Sequence, residues 1–88
     1  SSINGKWLDD MTPYFVIHRI ASFPESHGVF REIIEYALTV SGNLRIDTHR
    51  DNRIMRHVIG KAGFSYCGVI KLADGSERLA FQILAYTL

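Results

Sequence analysis

The sequence predicts a small α/β domain with a mixed sheet, in the order strand, helix, strand, helix, hairpin. Three observations carry this. Phe15 to Ala21 is rich in β-branched and aromatic residues, which suit a pleated, buried surface. Val29, Phe30, Ile33, Ile34, Ala37 and Leu38 recur as a pair every four residues, the stripe of a helix facing a core. Near the C-terminus, Asp74-Gly75 separates the runs Tyr66 to Leu72 and Glu77 to Ala85, a strong hairpin signal.

Composition agrees. With 88 residues, 47% hydrophobic and 22% charged, the chain reads as one soluble globular domain, residues 1–88. A formal net charge of +1 offers no electrostatic footprint for nucleic acid and no polybasic patch for anionic lipid. The single cysteine, Cys67, cannot form an internal disulfide, and a reducing, cytoplasmic location is the expectation. No apolar run reaches membrane-spanning length, and residues 1–10 lack the basic-then-apolar order of a secretory leader.

Residues 1–13 read as a short strand end at 3–7 followed by a loop marked by Asp9, Asp10, Thr12 and Pro13. The first confident strand covers 14–22 and stops before Pro24, which has no N–H for a ladder. Ser26 can cap the helix that follows, over 28–40. Gly28 lets the backbone approach a ligand closely. Free N–H groups at that helix start, with the macrodipole, form a candidate phosphate cradle at residues 26–31. Ser41-Gly42-Asn43 ends the helix, with Gly42 as a left-handed cap. A second strand follows at 44–49. Strand, helix, strand in this order makes a parallel pair with a right-handed crossover. Ligands in such sheets collect beyond the carboxyl ends of the strands, here Ala21-Ser22 and Thr48-His49.

The second helix starts at Asp51 or Asn52, either of which can cap it. Its apolar face is Ile54, Met55, Val58, Ile59 and Ala62. Gly63 stops it, and Phe64 folds back onto the last turn. An antiparallel hairpin over 65–85, closed by a two-residue Asp-Gly turn, completes the domain.

The candidate chemical groups are few. His49 sits at the carboxyl end of a strand, where ligands bind, and Asp47 shares its face. His18 lies within the first strand, where an imidazole serves either as a base or as a hydrogen-bonded structural group. Nothing activates Cys67, which reads as a small buried hydrophobe and not as the nucleophile of a triad with His57 and Asp47. His49 and His57 lack metal-ligand spacing, so no metal is expected.

Several stretches together resemble the GNAT superfamily of acyl-CoA-dependent N-acyltransferases. They are Val16-Ile17-His18-Arg19-Ile20-Ala21; Gly28-Val29; Leu44-Arg45-Ile46-Asp47-Thr48-His49 with Asp51-Asn52 and Met55; Gly63-Phe64 with Cys67-Gly68; and Asp74-Gly75-Ser76 with Arg78, Ala80 and Phe81. The resemblance covers nearly the whole chain and implies the C-terminal portion of an N-acetyltransferase domain, a β-α-β-α-β-β half-domain lacking the family's first strands and helices. It further implies acetyl-CoA as cosubstrate and a primary amine as acceptor. The pantetheine arm would pair with backbone near Ile20, Ala21 and Ser22. The pyrophosphate would rest on the turn containing Ser26, His27, Gly28, Val29, Phe30 and Arg31. Asn52 and Met55 would lie beside the pantetheine, and His49 and His18 are the candidate bases.

Three departures stand out. Glu25 replaces a basic or amide residue of the turn, Phe30 replaces a small one, and Ile59 stands where the family often has a tyrosine general acid. These favour the alternative of a non-catalytic acyl-CoA-binding or protein-interaction domain of the same fold. With the upstream strands missing, residues 3–7 are expected to pair antiparallel with residues 14–20, and a second copy to cover the apolar edge that remains.

Overall fold

The computed structural model describes residues 3–17 and 27–85. Its elements are β1 (Ile3–Gly5), β2 (Phe15–Ile17), α1 (His27–Val40), β3 (Asn43–Thr48), α2 (Arg53–Lys61), β4 (Ser65–Lys71) and β5 (Glu77–Leu84). The five strands form one sheet in the order β1-β4-β5-β3-β2. β2 and β3 are parallel, and the other neighbours are antiparallel. The expected α/β class, its parallel pair and its terminal hairpin are all present.

Alternation divides the sheet into two faces. Leu44, Ile46, Phe81 and Ile83 join Phe30 and Ile34 of α1 and Val58 and Ile59 of α2 in a single core. Both helices therefore cover one face. The helical stripes are mostly where the periodicity puts them, but Ile54 is exposed. It sits in the first turn of α2, beyond the edge of the core.

The helix ends follow local chemistry. Asn52 caps α2, its Oδ1 accepting the Met55 N–H at 3.0 Å. At the other end Gly63 adopts φ 100°. Its N–H reaches Gly60 O, and the Phe64 N–H reaches Ile59 O, which closes a Schellman motif with Phe64 and Ile59 both in the core. Gly42, by contrast, is not left-handed. The Ser41 hydroxyl does the local bonding there, donating to Asn43 O at 3.1 Å and accepting the Asn43 N–H at 3.3 Å.

The hairpin turn is one residue longer than expected. Gly75 N–H donates to Leu72 O at 2.9 Å, and Leu72 N–H to Ser76 O at 2.8 Å. The loop is thus Ala73-Asp74-Gly75, a turn followed by a left-handed glycine at φ 87°. Asp74 Oδ1 accepts both the Ser76 hydroxyl (2.6 Å) and the Ser76 N–H (2.9 Å). The two bonds hold its carboxyl below the usual range, the side-chain bond contributing most.

The largest correction concerns the N-terminus. Residues 3–5 pair with β4 at the far edge, in the register Ile3↔Ile70, Asn4↔Val69, Gly5↔Gly68, and not with the described part, 14–17, of the expected partner 14–20. Two glycines decide this. A Cβ on Gly5 would stand 2.1 Å from Cys67 O, and one on Gly68 would stand 2.1 Å from Asn4 O. Only a glycine facing a glycine permits so close an approach. Cys67 is the extra residue of a bulge, since Tyr66 faces Phe81 and Gly68 faces Ala80. β2 is consequently an edge strand among the described residues, with Tyr14, Phe15 and Val16 exposed.

Candidate functional site

The parallel pair sets the geometry. A helix joining two parallel strands must run back along them, so α1 begins at their carboxyl end. α2 begins at the same end, after the four-residue connection 49–52. Two helix N-termini therefore gather where β2 and β3 end. That of α2 is largely satisfied from within, Arg53 N–H donating to Asp51 O, Met55 N–H to Asn52 Oδ1 and Arg56 N–H to Asn52 O, so the start of α1 is the candidate anion site. α1 carries no acidic residue in its first turn, so nothing described there opposes an anion.

The predicted residues fall unevenly on this frame. His18, Ile20, Ala21, Ser22 and Ser26 lie outside the described residues. His27, Gly28 and Val29 form the first turn of α1. Phe30 is turned into the core, 3% exposed, so its bulk does not obstruct the helix start. Phe30 and Arg31 also line a cleft of about 100 Å³ between the helices, opposite Val58, Lys61 and Ala62. Arg31 and Lys61 place two cations on that cleft. These residues fit a phosphorylated ligand: backbone N–H groups at a helix start, with flanking positive charge. Asn52 caps α2, and Met55 packs against the core.

His49 is exposed on the turn between β3 and α2. Its Nδ1 accepts the Asp51 N–H at 3.1 Å, and Asp51 Oδ2 lies 3.6 Å from the same nitrogen. The partner that orients the ring is thus Asp51, two residues on. In the neutral ring this bond puts the proton on Nε2.

Ile59 is fully buried in the core. No side chain at that position reaches a ligand at the strand ends, and a tyrosine there would overpack the interior. Cys67 is also buried. Burial pushes its thiol up, outweighing the opposing pull of the Leu8 backbone, Arg45 and the Gln82 backbone. It is not an activated nucleophile. Among the described residues no group of His, Cys, Asp or Glu side chains could hold a metal ion, and no helix is long and apolar enough to cross a membrane.

The sequence reading missed a polar assembly on the face without helices. Arg45 is stacked between Trp7 and Tyr14, with Cζ 3.8 Å and 3.7 Å from the ring centroids, and its Nη2 meets Asp10 Oδ1 at 2.7 Å. Buried Gln82 accepts the N–H groups of Leu8 (2.7 Å) and Asp9 (3.2 Å) and donates to Asp9 O (2.8 Å) and Asn43 Oδ1 (2.6 Å). This assembly pins residues 7–14 over the sheet and borders a cavity of about 200 Å³ that Asp47 also lines. The signal available was Asn43, Arg45 and Asp47 alternating with apolar residues, which marks a second face.

No protein-family model matches the sequence, and no curated protein matches it. A solved structure does: an acetyltransferase of the GNAT family from Streptococcus agalactiae 2603, at 34% identity and a TM-score of 0.75, over 92% of this chain and 48% of that one. The chain has a GNAT-like half-domain fold. It spans about half the length of that acetyltransferase. In the resemblance to GNAT strands, β2 and β3 take the places of the fourth and fifth, and β4 and β5 those of the sixth and seventh. The observed order β4-β5-β3-β2 sets the last strand of the hairpin against the parallel pair.

Proposed function

We propose that this chain is the C-terminal, acetyl-CoA-binding portion of an N-acetyltransferase domain, and that the whole transfers an acetyl group to a primary amine. The observation that carries this is the start of α1 at the carboxyl end of a parallel strand pair, beside a cleft between the first turns of α1 and the last turns of α2 that Arg31 and Lys61 flank. The amine nitrogen attacks the thioester carbon and loses its proton, the C–S bond breaks, and CoA leaves as the thiolate. A backbone N–H among residues 20–22, which the resemblance puts beside the thioester, polarises the carbonyl as the oxyanion forms. His49 serves as base through Nδ1. On taking the proton, that nitrogen exchanges the Asp51 N–H for the Asp51 carboxylate 3.6 Å away. His18 is the second candidate. With Ile59 in the core, water or a side chain outside this chain reprotonates the thiolate.

A non-catalytic acyl-CoA-binding role is the second reading, favoured by that same buried Ile59. The two readings share the cradle and differ in turnover.

Calorimetric titration with acetyl-CoA tests the cradle. Gly28→Asp adds a negative charge at the helix start and should weaken binding about tenfold or more. Equal affinity in both proteins would remove the cradle. Binding without acetylation of any amine, measured on the full-length protein, would select the second reading.

A further inference from the structure

The other flank of α2 carries a second opening. A groove of about 570 Å³ lies between α2 and strands β4 and β5. Arg53, Arg56 and His57 line it from the helix, and Tyr66, Leu79 and Phe81 from the sheet. Its volume falls in the range of small-molecule clefts, roughly 300 to 1,000 Å³.

Two features set this groove apart from an ordinary solvated helix face. The first is an exposed aromatic ring seated on the edge of the core. Tyr66 is 58% exposed and meets buried Phe81 edge to face, centroids 5.6 Å apart at 62°. The second is unopposed charge. No carboxylate among the described residues lines the groove, and α2 carries Arg53, Arg56 and Lys61 with no acidic residue. Glu77, close in the sheet, is engaged by Arg50 at 3.3 Å. Arg56 donates one N–H to Arg50 O at 2.9 Å, leaving its other donors to the groove. The side chains of Arg53 and His57 make no hydrogen bond or ion pair among the described residues. The net charge of +1 conceals this local excess.

We infer that the groove binds a small anionic ligand with a flat apolar body, an aryl phosphate or aryl carboxylate. The ring lies on exposed Tyr66, which is held in place by its edge contact with buried Phe81 and offers aromatic surface for offset or edge contact. The anion meets the guanidinium groups of Arg53 and Arg56, whose forked donors match phosphate and carboxylate. The groove sits over β4 and β5, on the flank of α2 away from α1, and none of its lining residues is among those assigned to acetyl-CoA. It therefore stands or falls independently of the acetyl-CoA reading.

The test is a nuclear magnetic resonance titration of the 88-residue chain with phenyl phosphate as probe. Resonances of Tyr66, Phe81 and His57 should shift saturably. Inorganic phosphate lacks the ring and benzyl alcohol lacks the charge, so each should bind at least about tenfold more weakly. Arg53→Gln and Arg56→Gln remove exposed charges without touching the core, and each should weaken phenyl phosphate about tenfold. The absence of a saturable shift at millimolar probe, an undiminished affinity in the double variant, or benzyl alcohol binding as tightly as phenyl phosphate would each overturn the assignment.

Discussion

β1 and β2 are both three-residue strands at opposite edges of one sheet, and they are held in different ways. β1 is fixed by close backbone approach. Gly5 and Gly68 face each other with no room for a Cβ on either, and the chain beyond is pinned from behind by Gln82, Asn43 and the Trp7–Arg45–Tyr14 stack. β2 is held by side chains and a parallel ladder alone, and it leaves Phe15 50% and Val16 39% exposed. One edge strand is fixed in place by its own backbone. The other, among the described residues, presents apolar side chains and has no strand on its outer side, the form of edge that recruits another strand. Edge pairing in this fold thus depends on what lies behind the strand as much as on the strand itself.

The largest expected effect breaks the β1 edge. Gly68→Ala places a Cβ against backbone that cannot swing aside, at a φ of 146°. The cost should be about 4 kcal/mol, combining the strained dihedral with overpacking. Urea unfolding would measure it, and hydrogen exchange should show lost protection in β1 and β4 while β3 stays protected. Retained protection at Ile3 to Gly5 would mean that the glycine pair does not fix this edge.

Gln82→Leu comes next. It removes the bonds that Gln82 makes to the Leu8 and Asp9 N–H groups, to Asp9 O and to Asn43 Oδ1, while Asp9 O keeps Arg45 Nη2 at 3.1 Å, at about 3 kcal/mol. Trp7, the single tryptophan, reports the outcome directly. Its emission should shift to the red as residues 7–14 lift from the sheet. An unshifted emission would show that the stack on Arg45 holds the segment alone.

The smallest effect on stability belongs to the β2 edge. Val16→Lys should change unfolding free energy by less than about 0.5 kcal/mol, yet it should abolish self-association, because a lysine on an edge strand opposes pairing. Light scattering decides it: a dimer at high concentration for the unaltered chain and a monomer for the variant. A monomeric unaltered chain would contradict a homodimer shared through this edge.

Much of this was legible in the residues. The paired apolar positions of Phe30 to Leu38 and of Met55 to Ala62 specify amphipathic helices because the stripe repeats over several turns. Asn52, Gly63 and Asp74-Gly75 act on neighbours within five residues, so their caps and turn can be read locally. The extra residue in the hairpin loop was not legible, since Asp-Gly serves both loop lengths and the strand register chooses between them. Of the site, the helix start at His27–Arg31 and the turn at His49 follow from chain order. The groove beside α2 does not, because Tyr66 and Arg53 meet only across the packed layers.

By itself, then, the sequence determined the order of elements, their ends and the parallel pair, because each depends on short-range periodicity, dihedral preference or chain connectivity. The tertiary structure decided where residues 3–14 lie. A three-residue strand carries no periodicity of its own, and its partner is chosen by contacts distant in sequence: Gly5 against Gly68, the Leu8 and Asp9 amides against Gln82, and Trp7 against Arg45. Those contacts exist only once β3, β4 and β5 have assembled the surface on which they form.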